Sequence, residues 1–294
     1  MESLVKPTLQ PFVDSTTSRE DARYVIMGAP LDLTASYRSG TRFAPEAIRQ
    51  SSQYMETFSQ RTGLDLEDVT LADIGNIDIT DDVEASLRKI SEAIGLVHDY
   101  GKIPVLLGGE HTVTLGALRA LKPELVIVLD AHLDLRDSLM GLKLSHATYM
   151  RRALEETDFK LMILGSRAVS REELEFAEAS KDRVMVVTPK DIAQGMDRVE
   201  EILGGWLDSA SSIYLSIDMD VLDPASAPAV GNPSPEGISV SQLLDTVAFA
   251  AGPRLIGFDL TEVTPQYDSG LTAIQAAYIV LETIYLVESS TRGY

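Results

Sequence analysis

Leu125-Val126-Ile127-Val128-Leu129-Asp130-Ala131-His132-Leu133-Asp134 is the stretch on which the fold turns. Its first five residues are continuously apolar and its core is β-branched, as in a strand covered on both faces; a half-exposed strand would alternate. The same pattern recurs at Tyr24–Met27, Ile103–Leu107, Leu161–Leu164, Val184–Val187, Ile213–Ile217 and Leu255–Phe258, with a weaker instance at Val69–Ile74. Helical patterns lie between. Leu87, Ile90, Ile94 and Val97 keep a 3-4-3 spacing that stops at Gly101, while Ser170 with Glu173 and Ser239 with Gln242 form capping-box starts. The alternation predicts a single α/β domain over residues 1–294, with about eight mostly parallel strands and helices on both faces. No linker or repeat interrupts it. Residues 1–20 are expected to be a loosely held segment, and the proline-rich loop 223–237 falls between a strand and a helix, where functional loops sit.

Composition bounds the chemistry. With 45% hydrophobic and 24% charged residues, the 294-residue chain is neither disordered, collagen-like nor membrane-embedded. Lys and Arg number 25 against 45 Asp and Glu, a formal charge of -20, so nucleic acid would be repelled. Such a field gathers small cations, although a solvated acidic surface accounts for most of it. The absence of cysteine excludes disulfides, thiolate nucleophiles and Cys-ligated metals, leaving oxygen and imidazole as donors. The amino-terminal twenty residues lack the basic-then-apolar pattern of a signal peptide, and no apolar run is read as approaching the ~20 residues that span a bilayer. The expectation is a soluble cytoplasmic protein without a membrane partner.

His111, His132 and His146, three of the four histidines, fall in compact polar clusters. In extended chain, Asp130, His132 and Asp134 project to one side, forming a row of possible metal ligands at a strand's carboxyl end. Asp218-Met219-Asp220, after Ile213–Ile217, is expected to do the same. Gly108-Gly109-Glu110-His111 follows a third strand, its two glycines allowing a tight turn that aims His111 inward. In a parallel sheet these strand ends open on one side, so the clusters can converge. Four carboxylates in one cleft would raise one another's pKa steeply unless two divalent cations matched them. Oxygen-rich ligation favours Mn(II) over Fe(II), Co(II), Ni(II) or Zn(II). Bridging by Asp130 and Asp218 would hold two metals on the order of 3.5 Å apart. Singly, each aspartate reads as a turn or cap residue, and the Gly-Gly pair as an ordinary turn, since no Gly-Lys-Ser/Thr follows. His98 reads as a surface residue in a helix's last turn.

Gly108-Gly109-Glu110-His111, Asp130-Ala131-His132-Leu133-Asp134, Ser216–Pro224 and Gly257-Phe258-Asp259-Leu260-Thr261-Glu262 stand in an order that resembles the ureohydrolases, the arginase and agmatinase family, over nearly the whole chain. The resemblance implies a three-layer α/β/α sandwich around an eight-stranded, mostly parallel sheet, assembled as a homotrimer or homohexamer. It assigns one Mn(II) to His111, Asp130, Asp134 and Asp218, and a second to Asp130, His132, Asp218 and Asp220. The implied reaction hydrolyses a guanidinium group to urea and an amine, with Asp134 relaying a proton, Glu262 holding the guanidinium and His146, in Ser145-His146-Ala147-Thr148, shuttling protons to the leaving amine. Glu110 replaces the aspartate of many arginases, and a supporting or capping role is expected for it. Residues 36–49 resemble the family's amino-terminal loop and helix start, with a packing or assembly role. The stretch through which arginases hold an α-carboxylate is not evident in residues 135–145. Agmatine is therefore the expected substrate, giving putrescine for polyamine biosynthesis, with Asp137 or Asp223 as candidate acidic walls. The rivals are arginine, guanidinobutyrate or aminopropylagmatine as substrate, a single-zinc deacetylase of the same superfold, and a silent regulatory or scaffolding homologue.

Overall fold

Residues 4–292 are described by the structure, a computed structural model. Nine strands form one sheet: β1 (Val5–Lys6), β2 (Tyr24–Ala29), β3 (Leu71–Ile77), β4 (Ile103–Gly108), β5 (Leu125–Leu129), β6 (Lys160–Leu164), β7 (Val184–Val187), β8 (Ile213–Asp218) and β9 (Leu255–Thr261). The α-helices are α1 (Ala44–Ser52), α2 (Val83–Asp99), α3 (Val113–Leu121), α4 (Tyr149–Glu156), α5 (Arg171–Ala179), α6 (Pro189–Ile192), α7 (Met196–Ser209), α8 (Val240–Ala250) and α9 (Leu271–Arg292). The spatial order is β1-β3-β2-β4-β9-β8-β5-β6-β7. β2 to β9 are the eight expected parallel strands. The ninth, β1, pairs antiparallel with β3 through Val5 and Lys6, too few residues to leave a periodic signal in the sequence.

Alternate residues of the parallel strands enter opposite cores. Ile26, Leu107, Leu129, Leu215 and Phe258 pack with α1, α7, α8 and α9 on one face. Val25, Met27, Leu106, Val126 and Val128 pack with α2, α3, α4 and α5 on the other. Burial on both faces is why the apolar runs are continuous, and it yields the three layers. The capping boxes at Ser170/Glu173 and Ser239/Gln242 start α5 and α8.

Two features differ from simple expectation. α9 is, by length and composition, apolar enough to cross a membrane, contrary to the reading that no run approaches that length; 78% of its apolar window is buried inside the protein, as in a core helix. Within the amino-terminal segment, Phe12 is buried, its N–H donating to Asp73 at 2.9 Å, and the Val13 N–H donates to Ser52 at 2.9 Å. Asp73 in turn receives Nε and Nη2 of the fully buried Arg49, at 2.7 and 2.9 Å.

The carboxyl ends of β4, β9, β8 and β5, four neighbours at the sheet's centre, open on one side. Three of the polar clusters, and Glu262, follow these four strands directly.

Candidate active site

His111 stands three residues beyond β4. Neither Gly108 nor Gly109 has a positive φ, so turn freedom is not what they supply. They permit close passage instead: a Cβ on Gly109 would lie 2.0 Å from the Leu31 carbonyl oxygen, and one on Gly108 2.7 Å from Thr261 Cγ2. The main chain held this close, with the Glu110 N–H donating to the Leu31 carbonyl at 2.8 Å, presents His111 to the strand ends. Its Nδ1 lies 3.1 Å from Asp130 Oδ2, 3.1 Å from Asp218 Oδ2 and 3.4 Å from Asp134 Oδ2.

The aspartates converge by a different route from the extended alternation the sequence implied. Asp134 has φ +53°, so the chain curls after β5. Met219–Val221 forms a 3₁₀ turn capped by Asp218, whose Oδ1 accepts the Asp220 N–H at 2.7 Å. Both segments place their carboxylates inward through these bends. Asp220 Oδ2 lies 3.0 Å from His132 Nδ1, and Asp130 Oδ1 lies 3.5 Å from the same nitrogen. Two ligand groupings result, His111/Asp130/Asp134 and Asp130/His132/Asp220, with Asp130 common to both.

The electrostatics fit a cation. Burial, and then the charge of Asp130, push Asp134 up to about 7. Burial and the charges of Asp220 and Asp130 push Asp218 well above the carboxylate range. His111 Nδ1 is buried and has no hydrogen-bond partner although three carboxylate oxygens surround it. An orphaned imidazole nitrogen amid mutually repelling carboxylates is the donor arrangement that a bound dication satisfies. The ring's far side is braced: Nε2 lies 2.9 Å from Ser216 Oγ and 2.9 Å from the Tyr149 hydroxyl. Buried Asp259 accepts from Ser216 at 2.6 Å, Tyr214 at 2.7 Å and Thr114 at 2.8 Å. Such outer hydrogen bonds orient ligands and tune their basicity.

Glu262 follows β9 with φ +66°. Its Oε1 accepts the His111 N–H at 2.8 Å, and its own N–H donates to the Gly109 carbonyl at 2.9 Å. Burial pushes its carboxyl up to about 8. Its Oε2 packs where a side chain at position 231 would sit, since a Cβ on Gly231 would come within 2.7 Å of it. His146 is buried between two hydroxyls, Nδ1 3.2 Å from Thr34 Oγ1 and Nε2 3.2 Å from Ser36 Oγ. Burial holds its pKa below the usual imidazole value.

A cavity of about 200 Å³ is lined by His111, His132, Asp134, His146, Asp218, Asp220 and Glu262, and its wall adds Ser36, Arg136, Leu139 and Asn232. Asp130 lies beneath, 1% exposed. The six candidate ligands therefore meet His146 and Glu262 at one place. Asp137 and Asp223 do not line it: Asp137 pairs with Arg152 at 3.1 Å, and Asp223 accepts the N–H groups of Ala225 and Gly237 in its own loop. The wall carries Arg136 instead, 3.6 Å from Glu173. A larger cavity, about 460 Å³, lies on the amino-terminal side of the sheet against Val25, Ile74 and Tyr100; it brings together no His and no clustered carboxylates.

The sequence reading missed Tyr149, Thr34 and Asn232. It quoted Ser216 and Asp259 without a role, although a polar residue within an otherwise apolar strand was a usable signal for both.

These elements are those of a known class. The model of the arginase family matches residues 22–285. The agmatinase of Pyrococcus horikoshii is 31% identical over 280 residues, covering 94% of this chain and 95% of that protein. The guanidinobutyrase of Pseudomonas aeruginosa is 33% identical over 297 residues, covering 96% and 92%. The crystal structure of agmatine ureohydrolase of Thermoplasma volcanium superposes with a TM-score of 0.88 at 35% identity, covering 96% of this chain and 95% of that one. The chain belongs to the arginase family. It is a ureohydrolase of that family, and its buried His and Asp groups suit the family's metal dependence.

Proposed function

We propose that this enzyme hydrolyses agmatine to urea and putrescine, with two Mn(II) ions per chain held by His111, Asp130, Asp134, Asp218, His132 and Asp220. The observation that carries the reading is the meeting of these six side chains with Glu262 and His146 around one cavity. Bound there, the dications would polarise the substrate and lower the pKa of attacking water. The chain's own groups do the rest. Glu262 accepts N–H groups of the planar guanidinium and orients its carbon. Asp134 takes the proton of the attacking water and passes it to the departing nitrogen. His146, neutral through burial, moves a proton to the leaving amine. The family resemblance adds a homotrimer or homohexamer, and the cytoplasm is the compartment we infer from the sequence pattern of the amino-terminal residues.

A second substrate class has its own support. Arg136 lines the cavity where acidic walls were expected, which favours a carboxylate tail, and a guanidinobutyrase is among the relatives; against this, Glu173 already faces the Arg136 charge. A urea-release panel with Mn(II) decides between them. Agmatine should turn over fastest; faster release from arginine or guanidinobutyrate would overturn the agmatine assignment.

A further inference from the structure

Glu110 lies beside His111, buried, and both its oxygens are saturated by donors. Oε2 accepts the N–H groups of Leu33 at 2.6 Å and Thr34 at 2.7 Å. Oε1 accepts the hydroxyls of Thr34 at 2.8 Å and Thr112 at 2.7 Å. A backbone N–H can only donate, so the side chain acts here as an acceptor.

The consequence passes through Thr34. A hydroxyl has one proton, and this one is given to Glu110. Thr34 Oγ1 also receives the backbone N–H of His146 at 3.0 Å. Its remaining neighbour is His146 Nδ1, at 3.2 Å. With the hydroxyl proton already committed, that contact is a hydrogen bond only if Nδ1 carries the hydrogen. Across the ring, Ser36 Oγ lies 3.2 Å from Nε2 and has a proton to give, while Asn232 Nδ2 lies 3.5 Å behind it as a donor. Every bond in the chain then points one way, from Asn232 through Ser36 and the ring to Thr34 and Glu110.

We propose that Glu110 is a positioning residue: through Thr34 it holds His146 as the Nδ1–H tautomer, so that Nε2, on the side of Ser36 and Asn232, is the ring atom free to take up and release a proton. The catalytic use of that atom rests on the reaction proposed above; the tautomer does not. Protons would enter and leave at Nε2 while Nδ1 keeps its hydrogen, so each exchange returns the ring to its starting state.

Glu110→Gln should invert the polarity. The amide must keep its oxygen toward the Leu33 and Thr34 N–H groups, which turns its NH₂ toward Thr34 Oγ1. That hydroxyl would then receive two donors, and its own proton would turn to Nδ1, leaving the hydrogen on Nε2.

The test is two-dimensional ¹⁵N–¹H spectroscopy of the histidine side chains in the full chain, loaded with diamagnetic Zn(II), at pH 8. Only four histidines are present, and His146→Asn identifies the resonances of His146 by their loss. The wild type should show Nδ1 protonated, Thr34→Ser should match it, and Glu110→Gln should show Nε2 protonated. Should Glu110→Gln not fold, Thr34→Val, which removes the hydroxyl, should lose the Nδ1–H preference that Thr34→Ser keeps. A wild-type His146 protonated at Nε2, a Glu110→Gln protein still protonated at Nδ1, or a Thr34→Val protein indistinguishable from Thr34→Ser would overturn the proposal. In the Mn(II)-loaded enzyme, Glu110→Gln should lower kcat about tenfold or more at nearly constant KM, general acid–base groups being worth about 10²–10⁴-fold. An inverted tautomer with unchanged kcat would uphold the positioning and remove His146 from the reaction.

Discussion

Asp134 has two demands on one carboxylate: it faces His111 Nδ1 at 3.4 Å and lines the cavity where a reacting group would lie. Asp134→Asn keeps the volume and removes the base, so the fold should survive while kcat falls by orders of magnitude, as steady-state urea release would show. Near-normal turnover would refute the proton relay. Glu262→Ala should chiefly raise KM for guanidino substrates, because the group lost is one that binds the guanidinium; unchanged KM and kcat would remove it from the site. At this scale the side chains that converge were legible in the sequence. His111, His132 and the four aspartates announced themselves because scarce imidazoles and carboxylates followed apolar strands. Thr34 and Asn232 did not, since a threonine or asparagine in a loop has many ordinary uses and only the folded neighbourhood assigns one.

Among the elements, the strands were readable because burial on both faces leaves unbroken apolar runs, whereas the local bends that gather the ligands were not. The 3₁₀ turn at Met219–Val221 and the left-handed residue Asp134 depend on contacts from other segments, so the residues picked out by alternation do converge, but through bends and not through an extended chain. The glycines teach the same lesson. Gly109 is required by the Leu31 carbonyl passing where a Cβ would be, a fact about a different loop. Gly109→Ala should therefore cost roughly 1–3 kcal/mol, the usual range for overpacking, read by denaturant unfolding. It should also weaken metal binding, because His111 sits two residues further on. An alanine variant as stable as the wild type would show that the loop gives way freely.

For the whole molecule, the ligand cluster is a burden when no cation is bound. Asp134 is raised to about 7 from a usual 3.8, and Glu262 to about 8 from 4.5, burial being the first cause of each. A carboxyl whose folded pKa is raised contributes its full stability below the unfolded value and loses it as pH climbs through the folded one. The metal-free protein should thus melt at progressively lower temperature from about pH 4 to 8 on account of these two groups. Added Mn(II) should raise the melting temperature more at pH 8 than at pH 6, because ligation needs the deprotonated forms. Equal stabilisation at both values would contradict this linkage.

Anomalous diffraction from Mn(II)-soaked crystals is the most direct trial of the site as a whole. Two peaks are predicted, one beside His111 and one beside His132, both within bonding distance of Asp130. A single peak, or none adjoining Asp130, would contradict the paired-metal centre.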